Sequence, residues 1–344
     1  MKSYRVLFVA ILASLLAIAM QPAFADSPTL AKVKDRGVLN CTSHNGNYPG
    51  FAELDDEGRW HGLDIALCRA VATAIFGDPD AVNFEPISWA QRWPALRTGE
   101  VDLVIKASGC TLGRDTELDF QCSRPYYLGT TKIMFHKDLG ISKMAEADGA
   151  IVCVPAGTTI QRQVARYAKQ LGIDVTVKPI DDPSQMRQTY YSGACHAFAQ
   201  WGPIVAITRS LAPDPDKSVI LPDVLAVEPE AAYVRKNDDE WLDVVNWTLN
   251  ALWFAEKNGI TSDNVDDMRA DPPSSQIAKF LGMTSGVGDG LGLSDDWAYN
   301  VIKKVGNYAE IWDRTVGKDS PYKIKRGVNA LWSDGGVHYS WVFD

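Results

Sequence analysis

Apolar positions along the first hundred residues follow two alternating rhythms. Residues 37–41 read as a short strand that ends in the polar, glycine-rich loop 42–50. Leu67, Val71, Ala74 and Ile75 then fall at i, i+4, i+7 and i+8, one stripe on a helix that opens at Asp64 and stops at Gly77. Val82 and Phe84 alternate as a second strand, 89–98 reads as a short helix closed by Gly99, and 101–105 reads as a third strand. Strand, helix, strand, helix, strand implies a parallel sheet. After Ala150 the rhythm restarts. Residues 151–154 form a strand, Pro155-Ala156-Gly157 a turn, and Thr158 or Thr159 caps a helix reaching about Leu171. Val175 and Val177 alternate, 184–192 is helical, and 197–199 is a strand, which makes a second α/β lobe. The chain leaves that lobe around 221–229. A strand at 231–234 follows, then a long amphipathic helix marked by Trp241, Val244, Val245, Thr248 and Leu252. The tail, 259–344, is rich in Gly, Asp and Trp, and 286–292 reads as a flexible glycine loop.

The N-terminus changes the picture. Lys2 and Arg5 precede an apolar run at 6–20 and the small-x-small pattern Ala23-Phe24-Ala25, which is a cleavable secretory signal at 1–25. Gln21-Pro22 interrupts the run before the roughly 20 residues that a membrane anchor needs. The formal charge of −9 becomes −11 once Lys2 and Arg5 are removed, an acidic balance that does not attract nucleic acid. The remaining chain exceeds one ordinary core, so two lobes are expected. Eleven tryptophans supply large buried area, and most belong in the core. Six cysteines in an exported chain argue for disulfides, with fifteen connectivities open. Local pairing is the simplest: Cys41 with Cys68 around the first strand and helix, Cys110 with Cys122 around Arg114, and Cys153 with Cys195 in the middle third.

Candidate chemistry concentrates in Lys106-Ala107-Ser108-Gly109-Cys110-Thr111-Leu112-Gly113-Arg114-Asp115, where a strand runs into small polar residues and ends in one arginine. Small residues leave backbone N–H groups approachable, and a guanidinium fork matches a carboxylate. The alternative is a surface turn in which Arg114 pairs with Asp115 or Glu117. No Walker A loop and no Gly-x-Ser-x-Gly elbow is present, and His44, His61, His136, His196 and His338 are dispersed without metal-ligand spacing.

Several motifs then carry a resemblance. Gly62-Leu63-Asp64-Ile65 opens the first helix, Cys110-Thr111-Leu112-Gly113-Arg114-Asp115 follows a strand, and Arg124-Pro125-Tyr126-Tyr127 comes shortly after. Together they resemble the family 3 solute-binding proteins of polar amino acid ABC importers. Leu39-Asn40-Cys41, Cys68-Arg69-Ala70-Val71-Ala72, Gly99-Glu100-Val101-Asp102, Val152-Cys153-Val154 with Ala156-Gly157-Thr158-Thr159, Gly306-Asn307-Tyr308 and Asn329-Ala330-Leu331-Trp332 narrow the resemblance to the general L-amino-acid-binding subgroup.

The resemblance implies a two-lobe α/β periplasmic binding protein of type II, with a two-strand hinge and a ligand cleft. Residues 26–130 and 230–344, the latter with a C-terminal extension, would form one lobe, and 131–229 the inserted second. It implies a monomer in the periplasm that binds a small carboxylate-bearing solute and delivers it to an inner-membrane ABC permease. No catalysis, cofactor, metal or nucleic acid is expected. A secreted lyase or dehydratase on the same fold, or a binding partner of a periplasmic enzyme or sensor, stands as the alternative.

By that resemblance Arg114 clamps the carboxylate, with Thr111, Thr158 and Thr159 as further donors. Lys106, Gly109 and Cys110 stand where the subgroup carries arginine, threonine and tryptophan. Trp201 stands where an aspartate is expected to hold the ligand's ammonium. An indole cannot replace that carboxylate, so the expected ligand is a soft cation bearing a carboxylate, or an acid with no amine. Trp201 would then face a second aromatic wall from Tyr48, Trp89, Trp93 or Phe51. If Trp201 only packs beneath the cleft, Asp181 or Asp182 is the alternative acid.

Overall fold

The computed structural model describes residues 27–344, so the signal segment expected at 1–25 lies outside the described residues. Helix α1 (Pro28–Arg36) begins where the Ser27 hydroxyl accepts the Leu30 N–H and ends at Gly37 in a left-handed conformation. Strand β1 (Leu39–His44) pairs in parallel with β4 (Val82–Ile87). Between them lie the short hairpin β2 (Glu53–Leu54) and β3 (Trp60–His61) and helix α2 (Leu63–Phe76). Gly62 enters α2 at φ 120°, and a Cβ there would meet the Phe51 carbonyl oxygen at 2.3 Å. Only glycine fits that approach, which sets Phe51 beside the start of α2.

Helix α3 (Arg92–Thr98) is closed by Gly99. The expected strand at 101–105 is not continuous. It makes isolated bridges instead, Cys41 with Leu103 on one side and Val104 with Tyr233 on the other. The apolar run is buried, but it pairs at single points with two different strands, and Ala107 then turns the chain at φ 40°. Short helix α4 (Leu112–Thr116) follows.

Strand β5 (Phe120–His136) is the spine of the molecule. One edge pairs antiparallel with β10 (Ala226–Arg235). Its distal half pairs antiparallel with β8 (Ala197–Trp201) and with β9 (Ser218–Ile220). Beyond β8 the sheet continues in parallel through β6 (Ala150–Pro155) and β7 (Val175–Ile180). Helices α5 (Thr159–Leu171), α6 (Pro183–Tyr191) and α7 (Gly202–Ser210) connect these strands. The sheet order β10-β5-β8-β6-β7 thus carries β5 and β10 from the first strand–helix unit into the second.

Helix α8 (Asp239–Lys257) returns the chain to the first unit. Its buried Trp241 donates its indole N–H to the Asp102 carbonyl at 3.1 Å. The tail then packs on β5. Tyr308 donates its hydroxyl to the Tyr126 carbonyl at 2.6 Å, and the Asn329 amide takes both backbone groups of Leu128, at 2.6 and 3.2 Å. The glycines at 286–292, expected in a flexible loop, lie in a turn held by the Asp295 carboxylate, which accepts the Gly286 and Gly288 N–H groups at 3.1 Å.

Disulfides join Cys41 to Cys68, Cys110 to Cys122 and Cys153 to Cys195, with Cα separations of 6.2, 6.0 and 5.7 Å. The third spans 42 residues and ties β6 to the chain entering β8. Closing a loop of that length restricts the unfolded chain by about 4 kcal/mol in the chain-entropy account. Replacing both Cys153 and Cys195 with serine should lower unfolding free energy by about 2–4 kcal/mol. Urea titration of oxidised wild type against the double variant measures the loss, and equal midpoints would exclude it.

Candidate functional site

The start of α5 and the end of β8 face the residues around Trp89 across a narrow cavity. Tyr48, Trp89, Arg114, Thr158, Thr159 and Trp201 line it, with Ala107, Ile160, Gln200 and Glu228. The two units touch around it: a Cβ added at Gly157 would lie 3.0 Å from Ala90, and Arg187 donates to the Asn47 carbonyl at 3.0 Å. Gly109 and Thr111 are not among the lining residues. The Gly109 carbonyl lies beneath Arg114, and Thr111 caps α4 while facing a second, wider cavity of about 510 Å³.

Arg114 is held from several sides. Its backbone N–H donates to the Thr111 hydroxyl at 3.4 Å, its Nη1 donates to the Gly109 carbonyl, and its guanidinium lies 5.0 Å from the Trp93 ring centre. The Tyr233 hydroxyl donates to the same Gly109 carbonyl at 2.7 Å. Arg114 is only 6% exposed and forms no ion pair among the described residues. Asp115 pairs instead with Lys236 at 3.1 Å, so the surface-turn alternative does not hold. A buried guanidinium with free N–H groups is a receiver for a planar anion.

Thr158 is the N-cap of α5, but its hydroxyl donates backward to the Pro155 carbonyl at 2.8 Å rather than accepting a helix amide. The first amides of α5 are therefore left without a side-chain cap, which leaves the partial positive charge of the helix start facing the cavity. The Thr159 hydroxyl donates to Glu228 Oε2 at 2.7 Å. Trp201 is built into an aromatic stack. Its ring lies parallel to Tyr127 at 5.4 Å and edge-on to Phe51 at 5.5 Å. Part of the face expected to meet a soft cation is thereby occupied. Asp182, weighed as an alternative acid, accepts the Gln185 N–H at 2.6 Å and caps α6.

Several charged residues reach this region: Lys106 opens the candidate stretch 106–115 and Asp64 belongs to the Gly62–Ile65 motif, while Arg92 was not singled out from the sequence. Arg92 is fully buried. Its Nη1 donates to the Trp89 carbonyl and its guanidinium lies 4.4 Å from the Trp93 ring centre, while Nε and Nη2 have no partner among the described residues. Lys106 Nζ donates to the Ser43 carbonyl at 2.8 Å, and burial, then Arg92, weakens its hold on the proton. Burial, then Lys106 and Arg92, also lowers the proton affinity of His44, which stacks on Tyr48 at 4.6 Å as a neutral ring. Asp64 accepts the Tyr126 hydroxyl at 2.9 Å, and burial raises its carboxyl to about 7.

Glu228 and Glu230, two apart on β10, share one face of that strand. Glu230 is completely buried, and neither carboxylate oxygen has a hydrogen-bond partner among the described residues. Its Oε1 and the indole nitrogen of Trp201 both lie 3.4 Å from the Cβ position of Gly129, so acid and indole flank one spot. Burial, and then the charge of Glu228, pushes its proton affinity well up, against the pull of Arg114. The available signal was Glu228-Pro229-Glu230 leading into the apolar run 231–234, acids entering a strand with an otherwise buried pattern.

Among the described residues no cluster of three His, Cys, Asp or Glu is placed to hold a metal ion, and no helix is long and apolar enough to cross a membrane.

The chain is similar to known proteins along most of its length. Residues 42–257 match the family described as bacterial extracellular solute-binding proteins, family 3. The general L-amino acid-binding periplasmic protein AapJ of Rhizobium johnstonii is 38% identical over 94% of this chain and 95% of its own. The glutamate/glutamine/aspartate/asparagine-binding protein BztA of Rhodobacter capsulatus is 36% identical over 92% and 93%. A periplasmic binding protein from Brucella ovis, solved with glutathione bound, superposes with a TM-score of 0.87 at 37% identity, covering 93% of this chain and 100% of that one.

The burial of Asp64 has a pH signature. The unfolded chain releases this proton near pH 4 and the folded protein near 7, so the folded form binds it more tightly. Stability from this group is fully present below about pH 4 and is lost as pH rises toward 7. The stability difference between Asp64→Asn and wild type should therefore move by a few kcal/mol in favour of the variant from pH 4 to 7.5. Urea titrations across that range measure it, and a difference that stays constant would show that Asp64 ionises normally.

Proposed function

The chain belongs to the bacterial extracellular solute-binding proteins, family 3, and from that footing we propose that it is the substrate-binding component of an amino-acid-type ABC importer. It takes a small carboxylate-bearing solute between its lobes and presents it to a membrane permease. Residues 26–130 with 230–344 form one lobe and 131–229 the other, and the protein works as a monomer in the periplasm, without cofactor or turnover. The names of its relatives AapJ and BztA, both binding proteins for amino acids, support this reading.

The observation that carries the reading is Arg114: a guanidinium 6% exposed, without an ion pair among the described residues, lining a cavity that also receives the uncapped start of α5. A carboxylate placed there gains a bidentate partner and helix amides together. Closure of the lobes supplies Thr158, Thr159 and Trp201 from one side and Tyr48, Trp89 and Arg114 from the other.

A thermal-shift screen of the twenty L-amino acids, glutathione and simple carboxylic acids tests the proposal. Ligand at 100 times its dissociation constant adds about 2.7 kcal/mol of stability. At least one carboxylate should stabilise the protein without being chemically changed. Arg114→Ala should then weaken its binding by about 2–5 kcal/mol in calorimetry, and Arg114→Lys should recover little, because a point charge lacks the fork. Product formation from the ligand would point to an enzyme instead, and wild-type affinity in Arg114→Ala would remove Arg114 from the site.

A further inference from the structure

We infer that the wide cavity beside the site receives a second carboxylate, through Arg162 and Arg166 of helix α5. This rests on the reading of the narrow cavity given above and extends its substrate class: a solute longer than a single amino acid, with one carboxylate at Arg114 and another at its far end.

The two cavities are neighbours. Thr159 and Glu228 line both, and the 2.7 Å hydrogen bond between their side chains is the partition. Beyond it the wide cavity, of about 510 Å³, has two unlike walls. One is helix α5, where Arg162 and Arg166 stand one turn apart on the same face, and neither forms an ion pair among the described residues. Gln163 lines the same wall and is only 6% exposed. Its oxygen accepts the Thr131 hydroxyl at 2.7 Å, which leaves its amide N–H groups as further donors. The other wall is β10, at the edge of its sheet, where Ala226, Val227 and Pro229 are apolar and Val227 is 57% exposed.

The charge of this wall runs against that of the molecule. The chain carries a formal charge of −9, yet α5 holds Arg162, Arg166 and Lys169 and no acidic residue. An ordinary solvated helix face in an acidic protein mixes signs, because an acid one turn from an arginine relieves its charge. Here no such acid exists along the helix. Across the cavity the acid is Glu228, and one of its oxygens is already taken by the Thr159 hydroxyl. The lining is therefore rich in donors on one side and apolar on the other, which suits a short stem ending in a carboxylate: guanidinium forks take the carboxylate and the β10 wall takes the stem. A solute with a single carboxylate at Arg114 stays on the near side of the partition and leaves both guanidinia in water. A solute that spans both cavities displaces the hydrogen bond between Thr159 and Glu228.

Isothermal titration calorimetry on the full mature protein tests this. The probes are the twenty L-amino acids, then γ-glutamylglycine and glutathione, each against its C-terminal amide. Acid and amide share the α-carboxylate for Arg114 and differ only at the far end. Wild type should bind the acids about tenfold more tightly than the amides, and the double variant Arg162→Gln, Arg166→Gln should erase that preference while binding the amides within about threefold of wild type. Glutamine keeps the helix propensity of arginine, and retained binding of the amides shows that the cleft of the variant is intact. A preference that survives the double variant overturns the assignment, and so does equal wild-type affinity for acids and amides. Binding of single amino acids but of neither extended acid overturns it too and leaves the importer reading standing. If no probe binds wild type, both this assignment and the reading beneath it fail.

Discussion

Everything near the cavity is organised by one constraint, the removal of the Arg114 and Arg92 guanidinia from water without an ionic partner among the described residues. Both lie against the ring of Trp93, at 5.0 and 4.4 Å, and each gives one nitrogen to a backbone carbonyl. Those contacts hold the planes of the two groups but do not neutralise them. A charge buried in this way is tolerated only where the rest of the fold is rigid enough to prevent its retreat to solvent. The disulfide from Cys110 to Cys122, the cap from Thr111 and the Tyr233 hydroxyl on the Gly109 carbonyl supply that rigidity on the Arg114 side.

The tail contributes from behind. Tyr308 and Asn329 bond the backbone of β5 at Tyr126 and Leu128, and the ring of Trp312 lies parallel to Tyr127 at 5.6 Å. Tyr127 in turn stacks on Trp201. A continuous aromatic column therefore runs from the tail to the wall of the cavity, so the α-helix Tyr308–Thr315, which carries Trp312, braces a residue that sits more than a hundred positions earlier. The extension is part of the mechanics of the site rather than an appendage to it.

Much of the strand and helix order up to the long helix α8 is legible in the sequence where an element buries one face and the periodicity survives, but the spine strand β5 (Phe120–His136), helices α1 and α7 and the short strands β2, β3 and β9 are not read there. Residues 101–105 read as a strand because they are apolar, yet they bridge two partners at single points, and no periodicity distinguishes that from a regular ladder. Arg114 stood out in the sequence because small polar residues surround a lone arginine, and the structure places it, with Thr158 and Thr159 of the α5 turn, at the lining of one cavity. Glu228 and Glu230 did not stand out, since acids in an apolar strand conflict with the pattern that identifies strands. Only the pairing of β5 with β10 brings that conflict to the cavity. Arg92 escapes notice because it opens a helix whose apolar neighbours explain its place, and Asp64 and Lys106, though they stand in motifs quoted from the sequence, carry no pattern that marks them as buried.

Hydrogen bonds tie the loop that carries Arg114 to strand β10. Loop 108–110 and strand segment 229–231 are hydrogen-bonded to each other, Cys110 N–H to the Pro229 carbonyl at 2.7 Å and Ala231 N–H to the Ser108 carbonyl at 3.0 Å. Arg114 and Glu230 therefore belong to one hydrogen-bonded unit at the hinge. Thr158 and Thr159 come from the start of α5 and Trp201 from the end of β8, both on the other side of the cavity. Arg114 and Glu230, fixed on one unit, keep their separation whatever the angle between the lobes, while the groups facing them come from the other side of the cavity.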